Sequence, residues 1–129
     1  MTTPTASKLV LVDSSGWIEY FGEGQKAHLF APYLEREDAN IVPTIVVYEV
    51  FKKLTTSGNR AVADRFLSYA FRTRFVVLDV NLALTGVKMS LDHGLHVADS
   101  LVYATAQTFQ AELVTTDQHF QGLPGVVLI

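Results

Sequence analysis

Four acidic residues of this chain sit in predominantly apolar surroundings. Asp13 ends the run "KLVLVD", Asp117 ends "LVTTD", Glu49 interrupts "IVVYEVF", and Asp99 lies inside "LHVADSLVYA". An unpaired charge in such a setting is costly. Three of the four have a local use: Asp117 as a helix cap, Asp99 as a first-turn acid favoured by the helix dipole, and Glu49 as half of an i,i+4 pair with Lys53. Brought together, the four would repel one another and hold protons more tightly than free carboxylates unless cations were bound. Oxygen-only ligation suits Mg²⁺ or Mn²⁺. Such ions activate water and stabilise the leaving oxygen in an in-line phosphoryl displacement.

The rest of the composition narrows this chemistry. The 129 residues include no cysteine, which excludes thiolate metal sites, a cysteine nucleophile and a disulfide framework. His93, His96 and Asp99 show an H-x-x-H-x-x-D spacing, but Gly94 is expected to end a helix between the two histidines, which removes the single helical face a zinc site would need. His119 is expected to be solvent-exposed, close enough to Asp117 in sequence to meet a substrate phosphate. A net charge of −3, from 10 basic and 13 acidic residues, argues against holding nucleic acid by bulk positive charge. Nucleic acid stays open as a substrate, because cations in an acidic cluster invert the charge a phosphate meets. Basic residues such as Lys52, Arg60, Arg72 and Lys88 read as solvated helix positions that are available to steer a polyanion.

Apolar runs and helical periodicities supply the elements that must position these acids. "KLVLVD" (8–13) reads as a strand buried on both faces, followed by a short helix, "SSGWIEYF", capped by Ser14 or Ser15. Residues 26–39 read as helical with a kink or restart at Pro32, and 40–43 as a second strand. A helix over 44–58, capped by Thr44 and ended by Gly58, precedes an amphipathic helix over 59–73. "RFVVLDV" (74–80) reads as the third strand, 81–94 and 98–110 as helices, and 112–116 and 125–129 as the last strands, with a short helix between them. This order describes an α/β fold with a mainly parallel sheet of about five strands flanked by helices, one domain spanning 1–129 with a flexible 1–7. In open parallel sheets, sites form beyond the carboxyl ends of the strands, where Asp13 and Asp117 should both arrive. The leading "MTTPTAS" has neither a basic nor an apolar targeting region, and no apolar run reaches membrane-spanning length, so a cytoplasmic location without membrane contact is expected.

Taken jointly, "LVDSSGWIEYF", "VPTIVVYEVFKKL" and "HVADSLVYATAQTFQAELVTTDQHF" resemble the PIN-domain ribonucleases, in particular the VapC toxins of bacterial toxin-antitoxin pairs, over about residues 8–129. The resemblance implies a PIN-like three-layer sandwich. It implies that Asp13, Glu49, Asp99 and Asp117 hold one or two Mg²⁺ ions, with Mn²⁺ able to substitute. It further implies hydrolysis of single-stranded or looped RNA, tRNA or rRNA, to 3′-hydroxyl and 5′-phosphate ends. Thr115 falls on the hydroxyl position of the family's T-x-D motif. Ser14 and Ser15 fall on the small polar positions after the first aspartate, with an implied role in orienting water or a carboxylate. The implied partners are a small VapB-type antitoxin and a second copy of the chain, in a homodimer and a heterotetramer or larger assembly. DNA would be contacted only through the antitoxin.

Two features stand outside that pattern. Tyr48 precedes Glu49 where a small or aliphatic residue is more usual, and is expected to pack in the core rather than line the cleft. Trp17, Tyr20 and Phe21 form an aromatic stripe that needs a cover, either from the chain itself or from a protein partner. A PIN nuclease with a housekeeping role in RNA processing would share the same residues. A receiver-type signalling module would need paired acids near the first strand and a lysine after a late strand. The chain has "VLVDSS" and no lysine beyond Lys88.

Overall fold

The computed structural model describes residues 8–129, so the flexible segment expected over 1–7 lies outside the described residues. Five short strands run parallel: β1 (Val10–Val12), β2 (Ile41–Pro43), β3 (Arg74–Val76), β4 (Glu112–Thr115) and β5 (Val126–Leu128). β1, β4 and β5 form one ladder and β2 with β3 another, and a single bridge between Val10 and Asn40 joins the two. The spatial order is therefore β3-β2-β1-β4-β5. From β1 the chain moves to one side of the sheet and later returns on the other through β4. The carboxyl ends of β1 and β4 thus flank the point where the winding reverses, which is where open α/β sheets build their sites.

Residues of β1 and β2 are fully enclosed, as expected for parallel strands covered on both faces. The cover comes from α1 (Ser14–Phe21), α2 (Ala27–Leu34), α3 (Thr44–Thr56), α4 (Arg60–Ala70), α5 (Val80–His93) and α6 (Val97–Thr108). Trp17 is completely buried, donates from Nε1 to the Val12 carbonyl (3.1 Å), and meets Phe66 and Tyr69 edge-on. Phe21 packs on the same two rings, and the Tyr20 hydroxyl donates to Glu35. Trp17 and Phe21 are therefore packed from within by α4, while Tyr20 is half-buried and tied to Glu35 at the end of α2. Among the described residues, no helix is long and apolar enough to cross a membrane.

Several boundaries differ from those expected, each for a local reason. The third strand stops at Val76 rather than at residue 80. It has only β2 as a ladder partner, Val77 and Leu78 turn outward, and the Asp79 carboxylate takes the Leu82 N–H (2.8 Å), starting α5 at Val80. Asp13, not Ser14 or Ser15, caps α1, and Pro43 rather than Thr44 stands at the cap of α3. α2 runs through Pro32 without restarting there, and a 3₁₀ turn over Glu37–Ala39 follows it.

Candidate active site

The parallel register of β1 against β4 pairs Val12 with Val114, which sets Asp13 level with Thr115 beyond the last ladder pair. Side chains at matched positions of parallel neighbours share a face. The Thr115 hydroxyl accordingly donates to Asp13 Oδ2 (2.9 Å) and accepts the backbone N–H of Asp117 (2.9 Å), while Asp13 Oδ1 accepts the Ser14 N–H (2.8 Å). Thr115 is fully buried and Asp13 nearly so. Burial fixes both rotamers and leaves Asp13 held from two sides at the sheet edge.

The other acids arrive from helices. Glu49 projects from the second turn of α3, half-buried, with the Ser14 hydroxyl close enough to oppose the rise in its proton affinity. Among the described residues the alternative use of Glu49, an ion pair with Lys53, does not form. Asp99 is the third residue of α6, where the free N–H groups of the first turn favour a negative charge. Asp117 caps a 3₁₀ turn over Gln118–Phe120, with Oδ1 accepting the backbone N–H of His119 (2.9 Å) and lying 2.9 Å from its Nδ1. The same imidazole nitrogen lies 3.8 Å from Asp99 Oδ2, and the Asp99, Asp117 and His119 ligand atoms all fall within 4.8 Å of one another.

The electrostatics of this edge are those of a site short of positive charge. Burial first, and then repulsion from Asp99 and Asp117, raises the proton affinity of Asp13 despite its hydrogen bonds from Thr115 and Ser14. Burial also raises that of Glu49, with repulsion from Asp13 and Asp99 added and the Ser14 hydroxyl opposing. Asp99 is raised by burial and by Asp117, against the attraction of His119 and His96. Among the described residues, two imidazoles draw on Asp99 alone, and no lysine or arginine acts on any of the three acids. Asp13, Asp99 and Asp117 act on one another, and Asp13 and Asp99 on Glu49, a set with no guanidinium or ammonium among the described residues that fits a divalent cation.

The structure thus brings together all four sequence-selected acids with Thr115 and Ser14. Ser15 is more peripheral: its hydroxyl accepts the Thr116 N–H at a long 3.5 Å. Sequence reasoning missed the fixed place of His119, which is exposed yet bonded to Asp117. The signal was there in the two-residue spacing, because an aspartate that caps a turn draws in the residue two positions on. Gly94 adopts the left-handed conformation (φ +69°) at the end of α5, which separates His93 from His96. His93 stacks edge-on with Tyr103, and His96 with His119. Tyr48 is 64% exposed rather than packed in the core, with Lys52 Nζ 5.6 Å from its ring centre. Its position on α3 faces solvent one residue before Glu49. Of the basic residues, Arg60, Arg72 and Lys88 are engaged in surface ion pairs with Asp64, Glu37 and Asp92.

A parallel sheet with acids converging at its winding reversal is an α/β arrangement that a known family shares. Residues 10–126 match the PIN domain family, and the chain belongs to it. A toxin-antitoxin complex from Klebsiella pneumoniae contains a chain with 23% identity and a TM-score of 0.78, over 92% of this chain and 95% of that one. VapC20 of Mycobacterium tuberculosis, described as a sarcin-ricin loop cleaving toxin, shares 12% identity with a TM-score of 0.74, over 91% and 96% of the two chains. VapBC2 from Rickettsia felis, bound to a DNA fragment from its promoter, shares 15% identity with a TM-score of 0.69, over 94% and 97%. At these identities the likeness is one of fold. No curated protein matches the sequence.

Proposed function

We propose that this chain is a metal-dependent endoribonuclease, the toxin of a type II toxin-antitoxin pair. The observation that carries this reading is the gathering of Asp13, Glu49, Asp99 and Asp117 at one sheet edge without a lysine or arginine to balance them. A bound Mg²⁺ or Mn²⁺ would supply the Lewis acidity that activates water and offsets charge on the phosphoryl oxygens. The four carboxylates would be its ligands. Thr115 fixes the Asp13 carboxylate and the backbone of Asp117 in one geometry, and Ser14 is the hydroxyl beside Glu49. Ser15 supports the β4 end from outside the acid set.

The reaction adds water across the P–O3′ bond of RNA. The 3′ oxygen leaves and gains a proton, giving a 3′-hydroxyl, and the phosphate stays on the 5′ side of the next nucleotide. A structured tRNA or rRNA is the substrate class, in line with the neighbour described as cleaving the sarcin-ricin loop. A small VapB-type antitoxin silences the toxin and carries any DNA contact, as the toxin-antitoxin complexes among the neighbours suggest. The chain acts as a homodimer in the cytoplasm and joins the antitoxin in a heterotetramer or larger assembly.

The test is direct. Purified protein with Mg²⁺ or Mn²⁺ should cut RNA to products with 5′-phosphates, and chelation or Asp99→Asn should abolish the cuts. Cleavage that survives both removes the metal mechanism. Growth arrest on expression, relieved by a co-expressed small partner, separates a toxin from a housekeeping RNA-processing nuclease. Mapping new 5′ ends against the Asp99→Asn protein names the RNA.

A further inference from the structure

The acidic edge carries a nitrogen donor that a site of four carboxylates does not use. His119 sits in the middle of the 3₁₀ turn Gln118–Phe120, and its neighbours on both sides pin it. Its backbone N–H is held by Asp117 Oδ1 (2.9 Å), and Phe120 beside it is fully buried and packs on Tyr103. The His96 ring meets the imidazole edge-on at a centroid distance of 6.2 Å, and His96 stands at the cap of α6, the helix that carries Asp99. The ring is therefore set between the two chain segments that bring Asp99 and Asp117 to the edge. Nδ1 is the atom turned toward them, 2.9 Å from Asp117 Oδ1 and 3.8 Å from Asp99 Oδ2.

A surface ion pair accounts for one such contact and is worth little. It does not account for the convergence of one atom from each of three side chains within 4.8 Å. An imidazole nitrogen and a carboxylate oxygen that stand this close share either a proton or a cation. Donors bound at about 2.1 Å to one ion lie about 3.0 Å apart when adjacent and about 4.2 Å apart when opposite. The 2.9 Å separation matches adjacent donors, and 3.8 Å falls between the two cases. His119 lies outside the H-x-x-H-x-x-D stretch that sequence spacing singles out, and reaches the same Asp99 from beyond β4.

We propose that His119 Nδ1 is a ligand of the cation held at this edge, beside Asp99 and Asp117, and that this nitrogen tilts the site from Mg²⁺ toward first-row transition ions. The assignment rests on the metal-dependent reading above and names the donor that decides which ion is taken. Mg²⁺ prefers oxygen donors and gives up its waters reluctantly, so an imidazole adds little to its binding. Nitrogen donors gain strength along the series from Mn²⁺ to Co²⁺ and beyond. One nitrogen among carboxylates therefore discriminates in a graded way, which neither packing nor a diffuse charge effect would reproduce.

Calorimetry on the whole chain with Mg²⁺, Mn²⁺ and Co²⁺ reads this preference. His119→Ala removes the nitrogen and keeps the turn, whose hydrogen bond to Asp117 comes from the backbone. The dissociation constant should rise at least about tenfold for Co²⁺, less for Mn²⁺, and stay within about twofold for Mg²⁺. An equal change for all three ions overturns the proposal. Pulsed electron paramagnetic resonance of the Mn²⁺-loaded chain gives a readout that does not depend on activity. Nitrogen modulation from a directly bound imidazole should be present in the wild type and in His96→Ala, and absent in His119→Ala. Mn²⁺ bound without nitrogen modulation overturns this ligand and leaves the carboxylate site standing. Modulation lost in His96→Ala but kept in His119→Ala moves the ligand to His96 and likewise overturns the proposal. A wild-type chain that binds none of the three ions removes the metal mechanism itself, and this ligand with it.

Discussion

The acidic edge and the outer face of α5 both break the usual distribution of residues, in opposite senses. At the edge, carboxylates are withdrawn from water. On α5, valines and leucines are left in it. The scaffolding differs accordingly. Asp13 is held by a buried hydroxyl and a backbone N–H, so its geometry is set before anything binds. Val80, Leu84, Val87 and Leu91 stand exposed and are ordered by their helix alone. A charge deficit can be met by a small ion, whereas an exposed apolar face offers such an ion nothing.

The largest expected effect lies at the edge. Asp99→Asn should lower cleavage by at least about 100-fold, because even the supports of metal ligands cost 10- to 100-fold when removed. Light scattering should show its oligomeric mass unchanged, so that lost activity is a lost site and not a lost assembly. Next comes metal binding. Without metal, Asp13, Glu49 and Asp99 release their protons at higher pH when folded than the ordinary 3.8 of aspartate or 4.5 of glutamate in the unfolded chain. Between those limits the folded state binds more protons, so stability in EDTA should fall as pH rises through that window and level off above the folded values. Thermal unfolding at neutral pH should show Mn²⁺ at 100 times its dissociation constant stabilising the fold by about 2.7 kcal/mol. Stability that ignores the ion would remove the charge-deficit account.

Thr115→Val should weaken Mn²⁺ binding by roughly 10- to 100-fold in calorimetry, since it frees the Asp13 carboxylate while keeping the strand's shape. An unchanged affinity would reduce the threonine to a structural strand-end residue. The smallest expected effect is the cross-check: Leu84→Glu should leave Mn²⁺ affinity within about twofold, consistent with additivity between separated sites.

The edge was more legible than the passage from β3 into α5, for physical reasons. Asp13 and Asp117 close apolar runs, and a strand buried on both faces announces its end when a charge appears. Glu49 stood out because its neighbours in sequence are apolar, although the Ser14 hydroxyl beside it lies on another helix and no local pattern names it. The passage was hidden by the same logic. "RFVVLDV" read as strand to its end, because pattern reasoning assumes that apolar residues point inward. Tyr48 misled in the same way, as an aromatic among valines that faces out. Trp17 and Phe21 needed a cover that sequence could not assign, and α4 provides it.

Asp13 does two jobs with two oxygens: Oδ1 caps α1 through the Ser14 N–H, and Oδ2 takes the Thr115 hydroxyl at the acidic edge. That division predicts a path of decay. In a descendant released from selection for activity, Glu49 and Asp99 are free to drift, while position 13 remains under pressure from the helix it starts, where replacement by alanine costs about 1 kcal/mol. Asparagine or serine there would keep the cap and silence the chemistry. An inactive homologue should therefore carry its history unevenly, with the first acid eroding last and toward a capping residue.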